Sequence, residues 1–181
     1  MNPNNKLLKN PKAAAIPGFL WKVERPSMRT DRDQFFLDVA LRYAYQGTCL
    51  RRNFGAVIID SHGTQVSAGY TGPPVGEQHC HSCWRQEHNI PSGQAYEKCR
   101  SVHAEMNALL QAGKMARGAT MYLNGYDVTT KLPVDILPCY LCAKMIINAG
   151  IEMVVMRDGD GDVIKFSPGA ILEKREMEAF G

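Results

Sequence analysis

The feature that most constrains this chain is a pair of short motifs, His-Ala-Glu at 103–105 and Pro-Cys-Tyr-Leu-Cys at 138–142. Together they supply one imidazole and two thiolates, which are donors that zinc prefers: His103, Cys139 and Cys142. Three protein ligands leave the fourth tetrahedral position open, which is typical of a catalytic zinc rather than a structural one. Glu105 is not needed as a ligand, so its carboxylate is free to act as a general acid and base. The motifs therefore predict a catalytic zinc centre with Glu105 as its proton shuttle.

The hydrophobic pattern around these motifs predicts an α/β protein. Apolar residues with helical periodicity or in β-rich runs favour helices over 30–47, 104–115, 139–149 and 168–180, and strands over 54–60, 64–70, 119–123, 151–156 and 163–166. Two long loops are expected at 71–101 and 124–137. Because strands alternate with helices late in the chain, we expect a mixed sheet covered on both faces. Both motifs then stand at helix starts, where the dipole stabilises thiolates.

Length and charge limit the organisation and the partners of the chain. A chain of 181 residues is long enough for one domain, which we place at 27–181 after an N-terminal arm at 1–26. The net charge of +3 does not support a large face for polymeric nucleic acid. No apolar run reaches the roughly 18 residues of a membrane helix. Pro17 and Gly18 interrupt the apolar stretch near the N-terminus, so we predict no signal peptide and a cytoplasmic protein.

Four further cysteines could hold a second metal: Cys49, Cys80, Cys83 and Cys99. Cys80 and Cys83 form a C-x-x-C half-site, and four thiolates would close a tetrahedral shell of the structural type. Such a zinc would order the long 71–101 loop. His79 and His88 are alternative ligands, and free or mixed thiols are the other interpretation.

Beyond these motifs, the chain resembles the deoxycytidylate deaminases of the zinc-dependent cytidine deaminase superfamily. The order H-x-E followed by P-C-x-x-C is the known signature of zinc nucleobase deaminases. Further matching segments lie at 25–27, 48–52, 55–57, 69–72, 79–80, 89–93, 99–100, 103–108 and 142–151. The resemblance implies a three-layer α/β/α sandwich around a mixed five-stranded sheet. It also implies zinc on His103, Cys139 and Cys142, with Glu105 as the proton shuttle.

The implied reaction converts dCMP and water to dUMP and ammonia. Related enzymes usually assemble, often as hexamers, some carry a second zinc in the corresponding loops, and regulated members respond to dCTP and dTTP. The resemblance therefore implies a homo-oligomer with a small nucleotide substrate and possible dCTP and dTTP effectors.

A nucleotide substrate needs contacts for its phosphate, sugar and base. Arg51 and Arg52 are phosphate candidates, because arginine matches phosphate oxygens bidentately, although an exposed surface pair is the alternative. Phe54 and Tyr70 could wall the base, or could simply pack in the core. Thr71 and Ala104 complete the predicted substrate contacts.

Two departures from the family bear on the substrate. The family usually has asparagine where this chain has Thr71, and the spacing from His103 to Cys139 is longer than usual, with extra residues around 126–136. Another free cytosine nucleotide or nucleoside, such as dCTP or a modified dCMP, therefore remains an alternative substrate. The low net charge and the loop cysteines argue against tRNA adenosine. A non-catalytic zinc-stabilised module is the third interpretation, against which Glu105 argues.

Overall fold

A mixed sheet of five strands organises residues 30–91 and 93–180, which are the residues that the computed structural model describes. The predicted N-terminal arm at 1–26 lies outside these residues. The strands follow the spatial order β2-β1-β3-β4-β5: β1 (Arg52–Ile59), β2 (Gln65–Tyr70), β3 (Thr120–Asp127), β4 (Met153–Arg157) and β5 (Val163–Phe166). The helices are α1 (Arg32–Ala44), α2 (Trp84–Glu87), α3 (Ala104–Ala112), α4 (Tyr140–Ala149) and α5 (Pro168–Phe180).

The connections between strands explain their directions. β1 runs antiparallel to both β2 and β3, and β4 runs antiparallel to β5. The β1–β2 hairpin turns at Asp60, whose Oδ1 accepts hydrogen bonds from the backbone N–H groups of His62 and Thr64. β3 and β4 are parallel, because α4 crosses between them. The predicted mixed five-stranded sheet is confirmed.

Helices cover both faces of the sheet, so the predicted three-layer α/β/α arrangement is also confirmed. Side chains alternate along β1: Val57 and Ile59 join the buried cluster with α1, whereas Ala56 and Ile58 join the cluster with α3 and α4. Burial on both faces explains why β1 is an almost continuous apolar run. α5 packs against α4 and extends the second helical layer.

Two glycines let the helices approach the sheet closely. A Cβ atom at Gly55 would lie 2.0 Å from the Ala40 carbonyl oxygen of α1. A Cβ atom at Gly69 would lie 2.5 Å from both the Ala104 carbonyl oxygen and the Ala108 nitrogen of α3. Because a Cβ atom cannot come this close to backbone atoms, glycine at position 69 allows α3 to pack directly on β2. The N-terminal end of α3 carries His103 and Glu105.

The structure corrects the predicted loop at 124–137. β3 continues to Asp127, and its last residues pair with the start of β1, with Arg52 opposite Asp127 and Phe54 opposite Gly125. Asn124 and Gly125 are poor strand formers, but here tertiary contacts override propensity. The Asn124 side chain donates to the Leu37 carbonyl at 3.0 Å, and Gly125 leaves room for the Phe54 ring. The 71–101 loop also contains α2 and a 3₁₀ turn at Tyr96–Lys98.

Candidate active site

The three predicted zinc ligands meet at the N-terminal ends of α3 and α4. His103 and Cys139 are the N-cap residues of these helices, and each accepts the first helical hydrogen bond through its backbone carbonyl. Cys142 lies one turn into α4. The first N–H groups of a helix point outward without helical acceptors, so both helix ends present a positive potential. This potential favours thiolates at Cys139 and Cys142.

The ligand atoms are spaced as a tetrahedral zinc requires. His103 Nδ1 lies 3.5 Å from Cys139 Sγ and 3.5 Å from Cys142 Sγ. Zinc–nitrogen and zinc–sulfur bonds at a tetrahedral angle give a separation of about 3.6 Å. Within the described ranges, this is the one group of at least three metal-ligating side chains whose donor atoms all lie within 4.8 Å of one another. Its donor set, one nitrogen and two sulfurs, fits zinc and leaves one coordination position open.

The two thiols titrate very differently. A hydrogen bond from Cys142 and another from His103 lower the pKa of Cys139 to about 4, against the effect of burial. The hydrogen bond to Cys139, together with burial, raises the pKa of Cys142. The pair therefore favours a thiolate on Cys139 that accepts a hydrogen bond from Cys142. A bound dication would take the place of the Cys142 proton, because cysteine binds a metal as the thiolate.

Glu105 is a buried carboxyl group beside the ligand set. Its side chain is 5% exposed and lies in the first turn of α3. Burial raises the pKa of Glu105, while the nearby His103 and a hydrogen bond from Cys142 act in the opposite direction. A carboxyl whose pKa is raised holds a proton more readily, which suits a group that both accepts and donates one.

A cavity of about 690 Å³ opens onto these residues. Its wall includes His103, Glu105 and Cys139, the segment from Pro133 to Leu137, and side chains of β5 and α5. The extra residues predicted before the zinc cysteines thus form part of this wall. Asp135 ties the middle of this segment to the turn after β4, because its Oδ1 accepts a 2.7 Å hydrogen bond from the Gly159 nitrogen.

Four of the six predicted substrate contacts lie in the cavity wall: Arg51, Arg52, Phe54 and Thr71. Thr71 is buried, and its hydroxyl accepts a 3.2 Å hydrogen bond from the Phe54 nitrogen. Tyr70 is outside the wall, with a side chain that is 42% exposed, because strand alternation turns it away from Thr71. Ala104 is fully buried in the core and does not line the cavity.

Two arginines of the cavity wall were not among the residues predicted from the sequence. Arg85 comes from α2 and is almost completely buried, and Arg175 comes from α5. Arg85 stands in an irregular loop without periodicity, and Arg175 belongs to a helix whose charged residues suggest an exposed face. We find no sequence signal that would have identified either residue.

The second cysteine set is gathered in one region but not in a closed shell. Cys49, Cys83 and Cys99 line the same cavity, and burial together with the charges of the other three cysteines raises the pKa of Cys80. All four lie within the described residues, yet no three of their sulfurs are all within 4.8 Å of one another. The alternative ligands have other partners, since His79 Nδ1 contacts Thr48 Oγ1 and His88 Nδ1 contacts the Trp84 carbonyl.

No helix in the described part of the chain has the length and apolar character needed to cross a membrane.

Comparisons with known proteins agree with this geometry. The family model described as "Cytidine and deoxycytidylate deaminase zinc-binding region" matches residues 30–157. A deoxycytidylate deaminase of Mycobacterium phage D29 is 35% identical over 133 residues, which are 70% of this chain and 94% of the phage protein. A deoxycytidylate deaminase of Schizosaccharomyces pombe is 30% identical over 131 residues, but the match spans only 37% of that longer protein.

A solved structure shows the same fold. The dCMP deaminase of cyanophage S-TIM5, in complex with dCMP and dUMP, superposes with a TM-score of 0.55 at 21% sequence identity. The alignment covers 82% of this chain and 94% of the cyanophage protein. With the family match over 30–157 and the relative from phage D29, this chain belongs to the cytidine and deoxycytidylate deaminase family.

Proposed function

We propose that this protein is a zinc-dependent hydrolase that converts dCMP and water to dUMP and ammonia. The observation that carries the proposal is the buried Glu105 carboxyl beside three donors with zinc spacing, in the wall of a cavity large enough for a nucleotide. The phage D29 relative, which is a deoxycytidylate deaminase and is covered almost completely, supports dCMP as the substrate.

The residues of the site divide the chemistry between them. His103, Cys139 and Cys142 would hold the zinc, which when bound would supply the Lewis acidity that activates a water beside C4 of cytosine. Glu105 accepts one proton from that water and delivers it to N3 of the ring. Glu105 then carries the remaining proton to the 4-amino group, which departs as ammonia while C4 keeps the oxygen. Its raised pKa suits a group that must hold and release a proton at each step.

The cavity wall supplies the substrate contacts. We assign the base to the Phe54 face and the sugar to the neighbourhood of Thr71. Arg51 and Arg52 are the predicted phosphate contacts, although each already has a partner. Arg51 Nη1 donates to the Ile90 carbonyl at 3.4 Å, and Arg52 Nε lies 4.0 Å from Asp127 Oδ2.

A substrate panel tests the proposal. Ammonia release would be measured with dCMP, dCTP, deoxycytidine, cytidine and RNA, using protein whose zinc content is determined on the same sample. We expect dCMP to be the best substrate. If dCMP is inert while another cytosine compound reacts, the zinc chemistry stands and the substrate assignment is wrong.

We also propose a second, structural zinc on Cys49, Cys80, Cys83 and Cys99. Their common neighbourhood and their free thiols support it, because four thiolates can close a tetrahedral zinc shell. Elemental analysis should give two zinc ions per chain, and a value of one would show that the second site does not bind zinc. Free thiols also support a reducing compartment such as the cytoplasm.

Assembly into a homo-oligomer and control by dCTP and dTTP remain part of the proposal by resemblance to the family. Light scattering measures the assembly. The ammonia assay with and without dCTP and dTTP measures the control.

A further inference from the structure

Arg85 is a buried cation in the wall of the catalytic cavity. Its side chain is 7% exposed, and it shares the cavity wall with His103 and Glu105. Arginine is rarely buried to this extent without an acidic partner, because removing its charge from water is costly. The position of Arg85 therefore requires an explanation.

The hydrogen-bonding capacity of Arg85 is only partly used. Its Nη2 donates to the Pro91 carbonyl at 2.7 Å, and its guanidinium lies 4.2 Å from the centre of the Tyr96 ring. The Nε atom is buried and has no hydrogen-bond partner. Within the described ranges, no carboxylate forms an ion pair with Arg85, whereas Arg52, Arg157 and Arg175 each have one. A buried guanidinium with an unused N–H and no carboxylate partner has the capacity to bind an anion.

Tyr96 connects this cation to the metal centre. The Arg85 guanidinium lies over the Tyr96 ring. The Tyr96 and His103 rings meet edge to face, with their centroids 4.8 Å apart and an interplanar angle of 88°. The stack of Arg85, Tyr96 and His103 thus holds a positive charge at a fixed place beside the zinc ligands. An anionic group bound by Arg85 would lie in the same cavity as Glu105.

We propose that Arg85 binds the phosphate of the substrate and thereby selects nucleotides over nucleosides. The inference rests on the proposed function and deepens it, because it names the residue that recognises the anionic part of the substrate. A guanidinium offers paired N–H groups that match two phosphate oxygens. Arg85 suits this role better than Arg51 or Arg52, because it is the most buried of the three. Unlike Arg52, it also has no carboxylate of the described residues within ion-pair distance.

Kinetic selectivity tests the proposal. In zinc-loaded protein, kcat/KM would be measured for dCMP and for deoxycytidine in the wild type, Arg85→Gln and Arg85→Lys. We expect Arg85→Gln to lower the ratio of the dCMP value to the deoxycytidine value by about 10- to 100-fold. Arg85→Lys should restore part of the ratio, because lysine keeps the charge but loses the paired donors. Arg42→Gln, which alters an exposed arginine of α1 outside the cavity, is the matched control.

A purely structural role for Arg85 gives a different result. If the residue only holds the loop through Pro91 and Tyr96, both kcat/KM values fall together, the ratio stays at the wild-type value, and the proposal is overturned. Circular dichroism and zinc content establish that each variant is folded. Should Arg85→Gln fail to fold, the same ratio in Arg85→Lys decides the question.

A binding measurement separates this inference from the proposed function. Inorganic phosphate would be titrated into the wild type and the Arg85 variants by calorimetry. We expect binding to the wild type that weakens at least tenfold in Arg85→Gln. If the wild type deaminates no cytosine nucleotide but shows this loss, the proposed function fails while the anion site stands. Equal phosphate binding in the two proteins would show that Arg85 is not the anion site.

Discussion

Arg175 Nε donates a 2.9 Å hydrogen bond to the carbonyl oxygen of Pro138, the residue directly before the ligand Cys139. Its Nη2 donates to the Leu137 carbonyl at 2.6 Å, and its Nη1 pairs with Glu178 at 2.6 Å. The helix α5 that carries Arg175 lies beyond the residues matched by the family model. A C-terminal helix outside the family region therefore positions the start of α4 at the metal site.

Removing the hydrogen bonds from Arg175 to Leu137 and Pro138 should weaken zinc binding. We expect Arg175→Met to weaken zinc retention roughly tenfold or more, because groups that orient metal ligands typically contribute that much to affinity. Competition with a chelator measures the retention. Glu176→Gln, an exposed change on the same helix, should leave it unchanged. Wild-type zinc retention in Arg175→Met would contradict the positioning role.

Glu105 is predicted to carry the proton transfers without holding the metal. Glu105→Ala and the isosteric Glu105→Gln should retain zinc and the fold, yet lose at least 100-fold in kcat, because neither side chain can shuttle a proton. Elemental analysis and the ammonia assay on one sample measure both properties. Appreciable turnover in either variant would mean that another group is the shuttle.

The carboxyl of Asp33 should make the fold sensitive to acid. Burial raises its pKa, but hydrogen bonds from Lys165 at 2.5 Å and from the Tyr122 hydroxyl at 2.9 Å outweigh burial and leave the pKa below the usual 3.8. Because the folded pKa is depressed, the stabilisation is complete above the unfolded pKa and is lost as the pH falls through the folded pKa.

This linkage predicts the behaviour of Asp33→Asn. We expect the substitution to cost about 1–2 kcal/mol of unfolding free energy at pH 7, and much less at the acidic end of the range where the wild type still folds. Urea unfolding at the two pH values measures the difference. Asp38→Asn, which alters a side chain that is 61% exposed in its ion pair with Arg157, should have little effect at either pH. A cost for Asp33→Asn that does not change with pH would contradict the linkage.

Gly69 should be indispensable for the seating of α3. A methyl group there would collide with the backbone of Ala104 and Ala108, so Gly69→Ala should cost about 1–3 kcal/mol and reduce activity by displacing Glu105. Thermal unfolding and the ammonia assay measure these losses. Gly169→Ala is the control, because a Cβ atom there meets nothing within 4 Å, and it should be neutral or slightly stabilising.

Much of this architecture was predictable from local patterns. The β1–β2 hairpin, α4 and α5 lie close to their predicted positions because apolar periodicity and turn residues act over a few neighbouring residues. The end of β3 was not predictable in the same way. Asn124 and Gly125 extend the strand only because β1 and α1 supply partners for them.

The candidate site shows the same contrast between local sequence patterns and tertiary contacts. The amino-acid sequence by itself predicted the group of His103, Cys139 and Cys142 that the structure brings together, and it placed Glu105 beside them, because H-x-E and C-x-x-C each place their side chains within one helical turn. Only the tertiary structure decided what surrounds them. The sheet order brings α2 and α5 to one cavity, so Arg85 and Arg175 reach the site from segments distant in the chain. Such contacts depend on how the helices pack against the sheet, which no short motif encodes.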